Sequence, residues 1–151
     1  MMEGKMVQIH VSGLIDAPVA PVWKLVRDFG ALGAWHPDVV TCRLEDGCDG
    51  TTIGARRTMT MRNVDGEIEE VLVALSDEAR QVVYTLSPGP LPVWDYRAVL
   101  ELLPITMEDR TVVSWRATYN APPDLQSDLQ QASTGIFTGG IEALISHFSG
   151  T

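Results

Sequence analysis

The chain begins with a period-two alternation of apolar and polar residues over positions 6–15, the pattern of a half-buried strand. Asp16 follows as a candidate N-cap for a helix. The pattern next predicts a short helix over residues 22–30 that Gly30 ends, and a second short helix or turn over residues 31–35. The first part of the chain is therefore one strand followed by two short helices.

The middle of the chain repeats a strand-and-turn pattern. Segments rich in β-branched and aromatic residues alternate with segments that contain Gly, Pro, Asp or Asn, which is typical of an antiparallel meander. The Pro-rich segment 87–92 is predicted to be a loop, because proline has no N–H to donate in a strand ladder. The predicted strands span residues 39–45, 54–61, 68–75, 81–86, 94–103 and 111–119.

The last quarter of the chain changes to helical spacing. Asp124 is a candidate N-cap, and apolar residues recur at helical spacing from Leu125 to Phe148. Gly140 and two other glycines lie inside this helix, and each costs about 0.5–1 kcal/mol relative to alanine. We therefore expect Gly140 to mark either close packing on the sheet or room for a ligand.

This order of elements predicts one α+β domain over residues 1–151. A curved antiparallel sheet of about seven strands, wrapped around the long C-terminal helix, buries the apolar face of both, with the two short helices after the first strand. Because such a sheet does not touch the helix everywhere, the arrangement predicts an interior cavity.

Composition narrows the function. The 151 residues are 45% hydrophobic and 21% charged, which fits one folded domain and excludes disorder. The 11 Lys and Arg against 20 Asp and Glu give a net charge of −9, so nucleic acid and acidic membranes are poor partners. The sequence contains neither a membrane span nor the apolar core of a signal peptide. We expect a cytoplasmic location.

Cofactor and metal chemistry is not indicated. Cys42 and Cys48 are too few for a disulfide scaffold or a four-ligand zinc site. The sequence has no phosphate-binding loop, no dinucleotide fingerprint and no Ser-His-Asp arrangement. We therefore predict no metal and no cofactor.

Several stretches carry a family resemblance, among them DAPVAPVWKLVRDFGALGAWHP, TCRLEDGCDGTTIGARRTM and FTGGIEAL. The chain resembles the polyketide cyclase/dehydrase group of the Bet v 1-like, START-related (SRPBCC) superfamily over residues 7–148. The resemblance implies the helix-grip fold and a pocket between sheet and helix for a small hydrophobic or aromatic molecule, such as a polyketide, lipid or terpenoid.

The same resemblance leaves two functions open. The protein is either a ligand-binding protein with cyclase/dehydratase activity, or a non-catalytic carrier or sensor that acts through a protein partner. A homodimer stays open as well. The chain is also similar to plant abscisic-acid receptors, with His36 at the position of their ligand-pairing lysine and Glu70 at that of their pocket glutamate. Their gate loop is shortened here to residues 62–66, so receptor function is not implied.

Glu70 is the first catalytic candidate. Period-two alternation places it on one face with Ile68, Leu72 and Ala74, as a carboxylate in an apolar wall. Desolvation would raise its pKa unless an arginine compensates the charge. The alternative is that Glu69 faces the pocket and Glu70 faces water.

His36 and Arg57 are the other catalytic candidates. A neutral imidazole at His36 would exchange protons near pH 7, or it only caps or packs. Arg57 would hold a carboxylate or phenolate, or it pairs with one of the acidic residues. Together with Glu70 they would perform proton transfer beside a carbonyl, with His36 or Glu70 as the base and Arg57 stabilising the enolate.

The ligand-binding candidates are mostly aromatic residues that the resemblance places at the pocket or its entrance. The alternatives are core packing for the tyrosines and Trp115, and an exposed rim position for Trp94. The full set is Trp35, Tyr84, Trp94, Tyr96, Trp115, Ile136, Phe137 and Gly140.

Overall fold

Residues 5–149 are described by a computed structural model, in which strands alternate with tight turns until the final helix. A short 3₁₀ helix, Phe29–Ala31, joins the first two α-helices. In chain order the elements are β1 (Lys5–Ile15), α1 (Val19–Val26), α2 (Leu32–Trp35), β2 (Val39–Leu44), β3 (Arg56–Met61), β4 (Ile68–Ser76), β5 (Gln81–Leu86), β6 (Trp94–Ile105), β7 (Arg110–Ala121) and α3 (Gln126–His147).

The seven strands form one sheet in the order β1-β7-β6-β5-β4-β3-β2, and every neighbouring pair is antiparallel. Consecutive strands β1 and β2 lie at opposite edges, so the segment with the two short helices crosses from one edge to the other. The sheet curves around α3, which confirms the predicted α+β fold with a long C-terminal helix.

The core lies between the concave face of the sheet and α3. Trp115 of β7 stacks on Phe137 of α3 with ring centroids 4.4 Å apart and planes 10° apart. A Cβ added at Gly13 of β1 would lie 2.7 Å from Cγ2 of Ile141, so the helix and this edge strand are in close contact. These contacts fix the helix across the sheet.

The predicted helix boundaries were partly wrong. Helix α1 begins at Val19 and ends at Val26, so neither Asp16 nor Gly30 bounds it. The carboxylate of Asp28 accepts a hydrogen bond from the Gly30 N–H and begins the 3₁₀ helix, which draws Gly30 into a new turn.

The N-terminus of α3 and the end of β4 also differ from prediction. Helix α3 is preceded by Leu125 without a side-chain cap, so Asp124 is not its N-cap. In β4 the alternation holds through Ile68 and Leu72, and then a bulge before Ala74 shifts the register. Because a bulge turns the following side chains to the other face, Ala74 is exposed instead of facing the core.

Candidate functional site

A cavity of about 80 Å³ lies between the concave face of the sheet and residues 133–137 of α3. Its walls are mainly aliphatic, thioether and aromatic side chains from α3, from β3 to β7 and from the loop before β6. The polar side chains in the lining are His36, Glu70, Tyr84, Tyr96 and Ser133.

Cross-strand register places two charged side chains side by side beneath this cavity. Arg57 of β3 lies directly opposite Glu70 of β4. Alternation along β3 then turns Met59 and Met61 inward with Arg57, and alternation along β4 turns Ile68 inward with Glu70. The strand period therefore builds an apolar wall with one ion pair in it.

The Arg57–Glu70 pair is almost fully buried, at 4% and 5% exposure. Arg57 donates from Nε over 2.8 Å and from Nη2 over 2.6 Å, in both cases to Oε1 of Glu70. Its Nη1 donates to the carbonyl oxygen of Phe29 over 3.0 Å. The guanidinium carbon lies 3.8 Å from the centroid of the Phe29 ring and 4.8 Å from that of Tyr84. Arg57 is thereby fixed behind Glu70.

The electrostatics of Glu70 follow from this burial. Desolvation raises the pKa of Glu70, and the neighbouring Arg57 guanidinium opposes the rise. Because an arginine side chain stays protonated, a neutral Glu70 would leave a buried cation without its counter-charge, so the pair is ionic at neutral pH. Glu69 instead points away, half-buried, to Arg56 at 3.3 Å.

The tyrosines form a protonated, aromatic side of the cavity. Trp115 donates from Nε1 to the hydroxyl oxygen of Tyr84 over 3.0 Å. Tyr96 stacks on Tyr119 with centroids 5.6 Å apart. Burial raises the pKa of both Tyr84 and Tyr96 well above the ordinary tyrosine value, so both hydroxyls stay neutral at physiological pH.

His36 is held by backbone groups at both ring nitrogens. The Asp38 N–H donates to Nδ1 over 3.1 Å. Nε2 lies 2.8 Å from the carbonyl oxygen of Ile136 in α3 and donates to it, because the other nitrogen carries the lone pair. Burial lowers the pKa of His36, which favours this neutral form. The residue joins the segment after α2 to α3, and its basic nitrogen is occupied.

Three of the predicted ligand-binding residues lie outside the cavity lining. A Cβ at Gly140 would lie 2.6 Å from Cζ3 of Trp115 and 2.8 Å from Cδ2 of His36, so the space at this glycine is filled by protein. Trp35 packs against Trp115 with centroids 5.9 Å apart. Trp94 is 45% exposed at the start of β6. The other five, Tyr84, Tyr96, Trp115, Ile136 and Phe137, line the cavity together with His36 and Glu70.

Several lining residues were not singled out from the sequence. Met59 and Met61 share the inward face of β3 with Arg57, so the strand period contained the signal for them. No sequence pattern predicted Leu91 as a lining residue, because it reaches the cavity from the Pro-rich loop and not from a strand or helix. Pro90 of that loop comes within 3.5 Å of a Cβ built on Gly66, so the loop rests on the turn between β3 and β4.

Residues 5–149 contain neither a candidate metal centre nor a helix able to span a membrane. No group of three or more His, Cys, Asp or Glu side chains in this part of the chain is arranged to hold a metal ion. None of its helices has the length and hydropathy needed to span a bilayer.

Comparisons with known proteins agree with this architecture. A family model described as polyketide cyclase / dehydrase and lipid transport matches residues 6–148. A solution NMR structure of a protein from Thermobifida fusca is 34% identical, with a TM-score of 0.83 over 93% of this chain and 92% of that one. A protein from Nitrosospira multiformis is 28% identical, with a TM-score of 0.81 over 94% and 96%. Norcoclaurine synthase from Thalictrum flavum, solved with dopamine and hydroxybenzaldehyde, is 17% identical and shares the fold, with a TM-score of 0.77 over 95% and 87%.

Proposed function

The chain belongs to the polyketide cyclase/dehydrase and lipid transport family, and on that premise we propose that it binds a small hydrophobic or aromatic molecule in the cavity under α3. One observation carries the proposal: among the described residues, aromatic and methionine side chains line the cavity together with a single charged group, the Glu70 carboxylate. Ligand sites are commonly concave and apolar, with a few polar groups that fix orientation. The phenolic and aldehyde ligands named for norcoclaurine synthase are small aromatics of the proposed kind.

The size of the cavity limits how a ligand is held. About 80 Å³ is well below the ~300–1,000 Å³ of pockets that enclose drug-sized molecules. A larger ligand therefore enters with one end and displaces flexible lining residues. Met59 and Met61 suit this adjustment, because the methionine side chain has three rotatable bonds and adapts to irregular space. Leu91 borders the same space from the loop before β6.

Thermal unfolding against a ligand panel tests this function. The panel contains aromatic polyketides, sterols, fatty acids and terpenoid acids. A ligand at about 100 times its dissociation constant adds roughly 2.7 kcal/mol, which raises the midpoint by roughly 5–11 °C for a chain of this size. Unchanged midpoints across the panel would contradict the proposal.

A matched pair of helix variants places the binding in the cavity. Ile136→Trp extends a lining side chain into the cavity, so we expect it to abolish the rise in the unfolding midpoint that the ligand causes. Gly135→Ala changes the neighbouring residue, where an added Cβ meets nothing within 4 Å, and we expect the shift to persist. Equal rises in the midpoint for both variants would mean that the ligand binds outside the cavity.

Between binding with chemistry and binding alone, the contacts favour a carrier. His36 uses both nitrogens on backbone groups, and Arg57 uses its nitrogens on Glu70 and the Phe29 carbonyl. Neither is left to act as base or enolate stabiliser without breaking these bonds, and Glu70, the other candidate base, keeps Arg57 bonded to itself instead of to an enolate. Incubating the protein with a panel compound that binds separates the two functions: a carrier returns it unchanged, and a cyclase/dehydratase returns a ring-closed product with loss of water.

A further inference from the structure

We propose that the cavity selects ligands that carry a hydroxyl group at the end facing Glu70, and that it rejects ligands with a carboxylate there. This inference rests on the proposed function of the same site and names the ligand class. It follows from which member of the buried ion pair faces the cavity.

The carboxylate of the pair faces the cavity and the guanidinium does not. Glu70 belongs to the cavity lining, whereas Arg57 does not. Both contacts from Arg57 fall on Oε1, so Oε2 is the oxygen left for a ligand. Arg57 also stays behind Glu70 because its Nη1 is bonded to the Phe29 carbonyl and its face is covered by two rings.

The other polar lining groups do not supply a positive charge. Among the described residues, no lysine or arginine lines this cavity. His36 is neutral and donates to the Ile136 carbonyl oxygen. Ser133 shares a hydrogen bond with the Tyr119 hydroxyl at 2.9 Å. A ligand therefore meets a negatively charged acceptor without a compensating cation at the surface of the cavity.

These charges distinguish two ligand chemistries. A ligand hydroxyl donates to Oε2 in a charge-assisted hydrogen bond, the stronger kind of neutral-to-ion contact. A ligand carboxylate instead places a second negative charge beside Glu70 in a region of low dielectric, where like charges repel strongly. The net charge of −9 acts in the same direction on approach. We expect a preference of roughly 10- to 100-fold for the hydroxyl ligand.

Three probes with one ring system test this on the wild-type protein: naphthol, naphthoate and naphthalene. Calorimetric dissociation constants near pH 7, where naphthol is neutral and naphthoate is ionised, should place naphthol roughly 10- to 100-fold tighter than naphthoate. Equal or tighter binding of naphthoate would overturn the selectivity and leave the ligand-binding function intact. Binding of naphthalene as tight as that of naphthol would also overturn the selectivity and leave the ligand-binding function intact. Failure of all three probes to bind would overturn both proposals.

Two substitutions at adjacent positions assign the preference to Glu70. Glu70→Gln keeps the side-chain shape and removes the charge, so we expect naphthoate to gain affinity at least tenfold relative to naphthol. Glu69→Gln is the matched control, because Glu69 points out of the cavity toward Arg56, and it should keep wild-type selectivity. A Glu70→Gln protein with wild-type selectivity would overturn the proposal.

A second variant covers the case in which Glu70→Gln does not fold, as judged by circular dichroism. Arg57→Met with Glu70→Met removes both charges and fills the same space with apolar atoms, an exchange that buried ion pairs often tolerate. Naphthol and naphthalene should then bind with similar affinity. A retained preference for naphthol would overturn the assignment.

Discussion

The two halves of α3 meet the sheet in opposite ways. In the C-terminal half, Gly140 brings the backbone against the rings of Trp115 and His36, and Leu144 is fully buried. In the N-terminal half, residues 133–137 stand over unfilled space, with Ile136 only partly buried. One helix therefore contains both a packed contact and the roof of a cavity.

This difference shows how a cavity persists in a small domain. A hydrophobic wall tends to close on empty space, because lining atoms without neighbours lose dispersion contacts. Here the helix is prevented from moving closer by the Trp115–Phe137 stack and by the His36 bond to Ile136. These two contacts at the border of the cavity, together with the packed C-terminal half, hold the helix at the distance that the open half needs.

The largest expected effect comes from the ion pair beneath the open half. Arg57→Met leaves the Glu70 carboxylate buried without a partner, so we expect a loss of about 3–5 kcal/mol in the free energy of unfolding. Replacing both residues by methionine should recover most of that loss. Urea denaturation measures the free energy of unfolding of both variants. A loss under about 1 kcal/mol for Arg57→Met alone would show that water reaches the pair.

A truncation in each half compares the halves directly. Leu144→Ala creates a void in a fully buried site and should cost about 2–5 kcal/mol. Ile136→Ala enlarges a space that is already open, so its cost should be lower by at least about 1 kcal/mol. Equal losses in urea denaturation would mean that the N-terminal half is as tightly packed as the C-terminal half in solution.

Two glycines of α3 provide a finer comparison. Gly140→Ala forces a Cβ into the rings of Trp115 and His36, and we expect a loss of about 1–3 kcal/mol from overpacking. Gly135→Ala adds the same atom in open space and should stabilise the protein by about 0.5–1 kcal/mol. Opposite signs in thermal denaturation are the expected result, and a gain at both positions would contradict the close contact at Gly140.

The smallest expected effect is a pH dependence from His36. Burial lowers the pKa of His36 below its ordinary value of 6.5. Arg57 acts in the same direction, while the Ile136 carbonyl and Asp38 oppose it. Below pH 6.5 the unfolded chain therefore binds a proton that the folded chain does not, so stability is lost as pH falls from 6.5 toward the folded pKa. This single group contributes at most about 1.4 kcal/mol per pH unit.

Urea denaturation between about pH 7 and about pH 5 separates this contribution from others. The raised pKa of Glu70 acts in the opposite sense, because its contribution is present below 4.5 and is lost as pH rises through the folded pKa. His36→Asn should therefore make stability fall less steeply as the pH is lowered than it does in the wild-type protein. The same pH dependence of stability in the variant and the wild-type protein would refute the role of His36.

The strand period predicted the inward faces but not the contacts between them. Alternation placed Glu70 with Ile68 and Leu72, and the structure confirms all three as buried. The alternation could not identify the partner of Arg57, because that depends on the register between β3 and β4. The alternation also did not predict the bulge that exposes Ala74.

The helix ends and the role of Gly140 were likewise not predictable from local sequence. Asp16 and Asp124 are residue types that favour N-cap positions, but α1 begins at Val19 and α3 at Gln126, one to two residues beyond the position each would cap. A glycine inside a helix predicts either space or close approach, and only the positions of Trp115 and His36 decide between them. Contacts between residues distant in sequence therefore determine the parts of the site that local patterns leave open.

The sheet order also governs how the chain folds. The hydrogen-bond partner of β1 is β7, with Lys5 opposite Ala121, so β1 pairs with a segment that is made much later in the chain. At about 5–20 residues per second, synthesis leaves β1 without its partner for on the order of ten seconds. Contacts that span most of a chain close slowly, on a scale of about milliseconds to seconds. Until then the edge of β1 is open to pairing with other chains, so aggregation during synthesis is the hazard that this topology carries.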